Sequence, residues 1–482
     1  MSMEQQDLVD APPPRRLGLA LSGGGSRAAA FHRGVLRGLI ELQLVPRVDV
    51  VSTVSGGSLF GGAWMAARAN GTADVDFLSQ LGAQLEKGFV LRALLGGFGA
   101  LKLLWPWYNR SDRMADMFDA LFFQRHEPGR KPRSTRLSDL PTHPVLCINT
   151  TVVNNGQVGK FSKEGFSAPR VRPREDPPRP YDAGNNLPVP LPDFRLSRAV
   201  AASAAFPVGL PPLTLSRKKD LKNALFFEEL EKHDRLTLTD GGVLENLGVQ
   251  SLIKSQRFGA WDLIVSDAGT KEEAWKKGFL NIIKDLLVPL VSGGVLTQLL
   301  LIMNSKQNRW MRSATVQEFE TSWLKDELSP RLAAGTHTAA GAGIQRFLQP
   351  EPRRTRRRLW FIRVNQSLED FVTGLPLWRL VEIRSAKPDG GTGGSIPRGY
   401  EERLVFLRTH GVDLGPARRV YEAMGGRARV QELNEVATGW TGLDARDIAG
   451  LEQHAHWQVL ASHAIYGVEQ EAASGGLESR TG

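Results

Sequence analysis

Apolar positions along the first seventy residues follow two rhythms. Leu17–Leu21 (LGLAL) and Val48–Val54 (VDVVSTV) are short, nearly continuous apolar runs of the length of buried strands. Between them, from about Ala28 to Leu42, apolar residues recur at helical spacing, and a second helical pattern runs from Gly56–Gly57 towards Asn70. Buried strands alternating with helices predict right-handed crossovers and an α/β fold. Its central sheet is mostly parallel, with helices on both faces.

Further along, HPVLCINTTVVNNGQVGKFS reads as two strands about an Asn-Asn-Gly turn. Pro169–Pro192 holds eight prolines among charges and reads as an irregular surface loop. Arg235–Gly248 (RLTLTDGGVLENLG) reads as strand, glycine turn and helix start, and Trp261–Gly269 as another strand. Beyond residue 320 the pattern weakens to a strand at RLWFIRV, a glycine-rich loop at AKPDGGTGGSIPRG and a helix over about Asp444–Tyr466. The organisation expected is a flexible leader over 1–16, an α/β domain over 17–320 and a mixed C-terminal extension over 321–482 packed on it.

Two apolar segments bear on membranes. Leu286–Ser305 carries no charge and is nearly long enough to span a bilayer, but Pro289 and Gly293–Gly294 interrupt it. A buried or membrane-facing helix pair fits it better than a span. Phe89–Arg110 is apolar and ends in Trp105, Trp107 and Tyr108. It reads either as a core helix or as an interfacial segment with those rings at headgroup level.

Composition adds bounds. The 482 residues are 41% hydrophobic and 23% charged, as in a soluble globular protein. Sixty-one basic against 51 acidic residues leave a net charge of +10, which favours an anionic partner. The basic cluster RRTRRRLW at 353–360 lacks any zinc-finger, homeodomain or RNP pattern. Peripheral contact with an anionic membrane is therefore expected, and specific nucleic-acid binding is not. Cys147 is the only cysteine, so neither an intrachain disulfide nor a cysteine zinc site can form. It reads as a core residue and fits a reducing, cytoplasmic setting. The N-terminus has no basic n-region followed by an apolar h-region.

Three short motifs carry candidate chemistry. Gly23-Gly24-Gly25-Ser26-Arg27 lies between the first strand and helix, yet it is neither a Walker A loop nor GxGxxG. Ser52–Ser58 (STVSGGS) puts Ser55 between a buried strand and a glycine-opened helix, the setting of a nucleophile elbow. Thr53 stands where glycine is usual, and a plain Ser/Gly helix cap is the competing reading. Asp240 ends a strand before two glycines. Together they supply a nucleophile in Ser55, a base in Asp240 and oxyanion donors in the N–H groups of the first glycine loop.

SGGGSRAAAFHRGVL, STVSGGS and DGG, in that order, resemble the three signatures of patatin-like phospholipases and the related cytosolic phospholipases. LSDLPTHPVLCINTTVVNNGQVGKF and LSRAVAASAAFPVGLPPL resemble that family's central strand pair and the segment ahead of its aspartate. The resemblance covers about Leu17–Gly269. It implies a patatin-like catalytic domain over 17–320 that hydrolyses acyl esters of phospholipids or other acyl-lipids with a Ser–Asp dyad. It carries the nucleophile to Ser55, the base to Asp240 and the oxyanion donors to Gly24 and Gly25. Arg27 would support the loop or meet a substrate phosphate. No cofactor or metal is implied, calcium included, since no aspartate-rich calcium loop is evident. Ser58 is the alternative nucleophile. Two other classes stand beside this reading: an esterase with a conventional triad drawing on one of nine histidines, and an inactive membrane-associated scaffold. His32 reads as structural, His233 as exposed, and His454, His456 and His463 as residues of a terminal helix. Glu245 and Asn246 read as a helix start rather than as chemistry.

Overall fold

The apolar runs at 17–21 and 48–54 form adjacent parallel strands, β1 (Leu17–Leu21) and β2 (Val48–Val54), with Leu19 opposite Val51. The computed structural model describes residues 16–87, 110–127, 129–174, 186–206, 210–253, 262–269, 312–313, 316, 358–385, 396–436 and 442–467. The segments at 89–109 and 286–305, most of the leader, and parts of the two loops at 169–192 and 386–399 lie outside the described residues. No helix among the described residues is long and apolar enough to cross a membrane.

Seven more strands join the same nine-stranded sheet. They are β3 (Val145–Val152), β4 (Gln157–Ser162), β5 (Gly165–Ser167), β6 (Leu213–Ser216), β7 (Arg235–Asp240), β8 (Asp262–Asp267) and β9 (Leu359–Arg363). The order is β9-β8-β1-β2-β3-β7-β6, with β4 paired to β3 and β5 to β4. β9, β8, β1, β2 and β3 run parallel, while β7, β6, β4 and β5 pair antiparallel. The sheet is thus mostly parallel at its centre, as the strand–helix alternation predicts. β9 comes from beyond residue 320 and lies directly beside β8.

Four helices matter for the site: α1 (Gly25–Glu41), α2 (Gly56–Ala69), α3 (Leu196–Ser203) and α4 (Ala445–Tyr466). One sheet face, including Leu19, Leu21, Ile148 and Ile264, belongs to the main core with Phe31, Trp64 and Trp457. The other, with Ala20, Val50, Cys147 and Val265, is covered by Leu247, Val249 and Leu252. Central strands buried on both faces read as continuous apolar runs for this reason.

α1 begins at Gly25, three residues before the apolar spacing becomes visible. Its first turn, Gly25-Ser26-Arg27, contributes no apolar side chain to that spacing. After β7 the expected helix does not start at Glu245–Asn246. Gly241–Val243 makes one 3₁₀ turn, and the Glu245 carboxylate accepts the amides of Leu247 (2.6 Å), Gly248 (2.8 Å) and Gln250 (3.2 Å). The next helix opens only at Gln250.

Candidate active site

Ser55 follows β2 and caps α2 with φ 50° and ψ −113°. A non-glycine residue at positive φ costs about 1–3 kcal/mol, so the surroundings must hold it there. The Ser55 carbonyl accepts the amides of Ser58 (2.9 Å) and Leu59 (3.1 Å), which starts α2. Its own amide donates to Ser203 Oγ at 3.0 Å. The turn also leans on the glycine loop. A Cβ at Gly56 would lie 2.3 Å from the Gly25 carbonyl oxygen, so no larger residue fits there.

Thr53 departs from the usual glycine without opening the elbow. Its hydroxyl donates to the Cys147 carbonyl (3.1 Å), and its methyl group is accommodated by Gly61, where a Cβ would lie 2.7 Å from Thr53 Cγ2. The absent glycine is in effect moved one turn into the helix. Ser58, the alternative nucleophile, is wholly buried, with its hydroxyl 3.0 Å from Thr53 Oγ1 and 2.8 Å from Ser203 Oγ. It ties the elbow together from beneath.

The glycine loop turns through Gly24 (φ 139°) and Gly25 (φ 59°), conformations that L side chains rarely adopt. Gly23 N–H donates to the Asn246 carbonyl at 3.0 Å, while those of Gly24 and Gly25 donate to no other described residue. The first turns of α1 and α2 adjoin, and unpaired first-turn amides give each helix end partial positive charge. A negative charge placed beside Ser55 would meet both. Arg27 is wholly buried, and its two terminal nitrogens donate to the carbonyls of Ala268 and of Val436 (3.1 Å). The guanidinium thus ties the start of α1 to β8's end and to the C-terminal region.

Asp240 reaches Ser55 through the register of β3. Val54 pairs with Asn149, and Asp240 pairs with the next residue, Thr150. The ends of β2 and antiparallel β7 therefore meet across one strand. Asp240 Oδ1 accepts the Gly242 amide at 2.7 Å. Burial pushes the carboxyl pKa up from 3.8 to about 7, against the Gly242 amide and the Ser55 hydroxyl, which acts on it as a hydrogen-bond donor.

Two neighbours, Ser203 and Asn149, were not singled out by sequence reasoning, and a third, Asn246, was read only as part of a helix start. Ser203 holds the Ser55 amide. Asn149 donates to Ser52 Oγ (2.8 Å) and the Thr53 carbonyl (3.0 Å) from the middle of β3. The Asn246 side-chain oxygen crowds both Gly23 and Gly242, where a Cβ would lie 2.2 and 2.7 Å from it. A buried Asn in an apolar strand and a Ser amid alanines at a helix end are the only signals they leave.

Among the described histidines weighed from the sequence, four contact other groups. His32 is buried, with Nδ1 2.8 Å from Ser266 Oγ and Nε2 2.9 Å from the Ser22 carbonyl. Burial lowers its pKa to about 4, so it stays neutral. His454 Nε2 contacts the Val364 carbonyl (2.8 Å), and His456 Nε2 the Glu41 carboxylate (2.7 Å). His463 stands edge-on to Trp360, and His233 is half-buried.

The model of the patatin-like phospholipase family matches residues 19–253, which include Ser55, Asp240 and the glycine loop. None of the curated proteins matches the chain. Among solved structures, human GIVD cytosolic phospholipase A2 in complex with methyl gamma-linolenyl fluorophosphonate is 13% identical, with a TM-score of 0.44. That match covers 97% of this chain and 59% of the human one, so the chain spans less than two thirds of it. VipD from Legionella pneumophila is 12% identical over 88% of this chain and 75% of its own, with a TM-score of 0.27. ExoU from the Pseudomonas aeruginosa type III secretion system, in complex with SpcU, is 13% identical over 96% and 91%, with a TM-score of 0.24.

Proposed function

Residues 19–253 of this chain are a patatin-like phospholipase domain, and on that premise we propose that the protein is a serine lipid acyl hydrolase of the phospholipase A or lysophospholipase type. The observation that carries this reading is Ser55, strained at the head of α2, with its hydroxyl acting as a hydrogen-bond donor on Asp240, a buried carboxyl whose pKa burial pushes up to about 7.

In the mechanism proposed, ionised Asp240 takes the Ser55 proton as Oγ attacks the acyl carbonyl. The carbonyl oxygen becomes an oxyanion held by the N–H groups of Gly24 and Gly25 and by the convergent ends of α1 and α2. Asp240 then gives the proton to the departing lyso-lipid or alcohol oxygen, leaving an acyl-Ser55 ester. Water, deprotonated by Asp240, attacks that ester, and the proton returns to Ser55 as the fatty acid leaves. A pKa of about 7 suits a group that must alternate between base and acid at neutral pH. Arg27, with both terminal nitrogens on carbonyls, acts here as loop support rather than as a phosphate ligand. The net charge of +10 supports peripheral docking on an anionic membrane.

The test is product profiling on mixed phospholipid vesicles, paired with a serine-reactive fluorophosphonate. Wild type is expected to release fatty acid and to be labelled at Ser55. Ser55→Ala and Asp240→Ala are expected to lose roughly 1,000-fold or more in rate, as nucleophile and base removals do. Wild-type rates in both variants would overturn the dyad, and an unlabelled, inactive wild type would favour a scaffold.

A further inference from the structure

We propose that the C-terminal end of α3 sets the geometry of the Ser55–Asp240 pair, with Ser203 as the positioning residue for the nucleophile. This rests on the dyad reading above.

The Ser55 amide lies between a strand and a helix, and neither ladder nor helix takes it. A side chain does. Ser203 Oγ accepts that amide at 3.0 Å and donates its single proton to the Asn149 carbonyl at 2.6 Å. Because a carbonyl only accepts, the proton's direction is fixed, and the Ser58 hydroxyl, 2.8 Å away, faces the remaining lone pair. Ser203 is wholly buried, so water cannot replace these bonds.

Two residues later the same turn holds the base. The Ala205 carbonyl accepts the Asp240 amide at 3.0 Å and the Thr239 hydroxyl at 2.7 Å. Thr150 adds a bond from its hydroxyl to the Thr239 carbonyl at 2.6 Å. One turn of chain, Ser203–Ala205, thus fixes the backbone of nucleophile and base together. The anchoring Ala205 carbonyl lies two residues past the end of α3, beyond the reach of the helix's own ladder. Alanine at 204 and 205, both wholly buried, lets the turn approach two strands at once. Ser203 touches no substrate in this scheme. It acts by holding Ser55 at φ 50°, the angle that aims the hydroxyl.

Ser203→Ala orphans the Ser55 amide and frees the elbow to relax. The expected result is a kcat lowered about 10- to 100-fold with KM unchanged, the penalty of a misaimed nucleophile. The rate of fluorophosphonate labelling at Ser55 falls by the same factor, and the acid limb of the pH profile does not move, since Asp240 keeps its partners. Rates are normalised to the folded fraction by cooperative unfolding. Ser203→Cys keeps the shape with weak hydrogen bonding, and is expected to lie between wild type and Ser203→Ala. Should the alanine variant not fold, the cysteine variant carries the test alone. Folded variants labelled at the wild-type rate overturn the positioning role. A shared loss in which KM rises or the pH limb shifts overturns it too. A wild type that is not labelled at Ser55 overturns instead the dyad on which this rests.

Discussion

Asp240 is a carboxyl whose use conflicts with its burial. Burial raises its pKa to about 7 in the folded chain, against 3.8 for an ordinary aspartate. Between those values the unfolded chain has released the proton while the folded chain keeps it. Stability is therefore lost as pH rises from about 3.8 through about 7, and the cost is constant above. Asp240→Asn, neutral at every pH, is expected to lie close to wild type in urea at pH 4 and to be more stable at pH 8, by up to about 4 kcal/mol. Activity runs the other way. If Asp240 is the base, kcat/KM rises with pH through about 7, and at pH 5 it is about 100-fold below its plateau. An acid limb near pH 4 would mean that a different group, or a solvated one, takes the proton. The elbow offers a second residue-scale test. Gly61→Ala pushes a methyl group to within 2.7 Å of Thr53 Cγ2 and is expected to cost about 1–3 kcal/mol. Thr53→Ser removes that methyl and keeps the hydroxyl on Cys147, so in its background Gly61→Ala is expected to cost far less. Additive losses in the double-mutant cycle would show that the two positions do not exchange space.

At the scale of elements, the pairing of α1 with α4 decides how rigid the glycine loop is. Gly34 lies against the backbone of α4, where a Cβ would be 1.9 Å from the Glu452 carbonyl oxygen. Glu452 pairs with Arg33 (2.8 Å) and Arg37 (2.6 Å), and its carboxylate is buried on the Arg33 side. Gly34→Ala is thus expected to force the helices apart, lowering stability by about 2–4 kcal/mol in thermal or urea unfolding. Little or no loss would mean that the close approach is not held in solution. This contact also marks where sequence reasoning stops. Strands β1, β2, β3, β7 and β8, the elbow and the Asp240 turn were legible because each is written within a dozen residues, as an apolar run followed by glycine. The helix of α4 was legible too, but its partner was not. The residues that join it to α1 lie more than 400 positions apart, and Gly34 and Gly38 look unremarkable in a helical pattern. Ser203 and Asn149 were missed for the same reason. Each is a small polar residue in a run that reads as core, and its role exists only once β2, β3 and α3 are packed. The helix start expected at Glu245 failed because that carboxylate satisfies the following amides from outside a helix.

For the whole molecule, the question is whether the catalytic apparatus is complete where the family match ends, at residue 253. Every group in the proposed mechanism lies before that point. The sheet does not: β9 pairs with β8 along five residues, and Trp360 and Ile362 are buried in the main core. α4 covers the Gly34 and Gly38 side of α1, and Arg27, the third residue of that helix, donates to the Val436 carbonyl. Removing everything after Gly269 would turn β8 into an open edge carrying Leu263, Ile264 and Val265, and would strip the outer side of the helix that bears the glycine loop. Unpaired apolar edges aggregate, and a buried Arg33 left without Glu452 is destabilised further. A chain ending at Gly269 is therefore expected to be insoluble or to unfold without cooperativity, and to lose fluorophosphonate labelling at Ser55 although Ser55, Asp240, Gly24 and Gly25 are all present. Adding residues 358–482 as a separate chain supplies β9 and α4, and is expected to recover part of the labelling. A truncated chain that unfolds cooperatively and labels at the full-length rate would make the C-terminal residues a dispensable extension. Loss and recovery together would make them a structural part of the fold that carries the site.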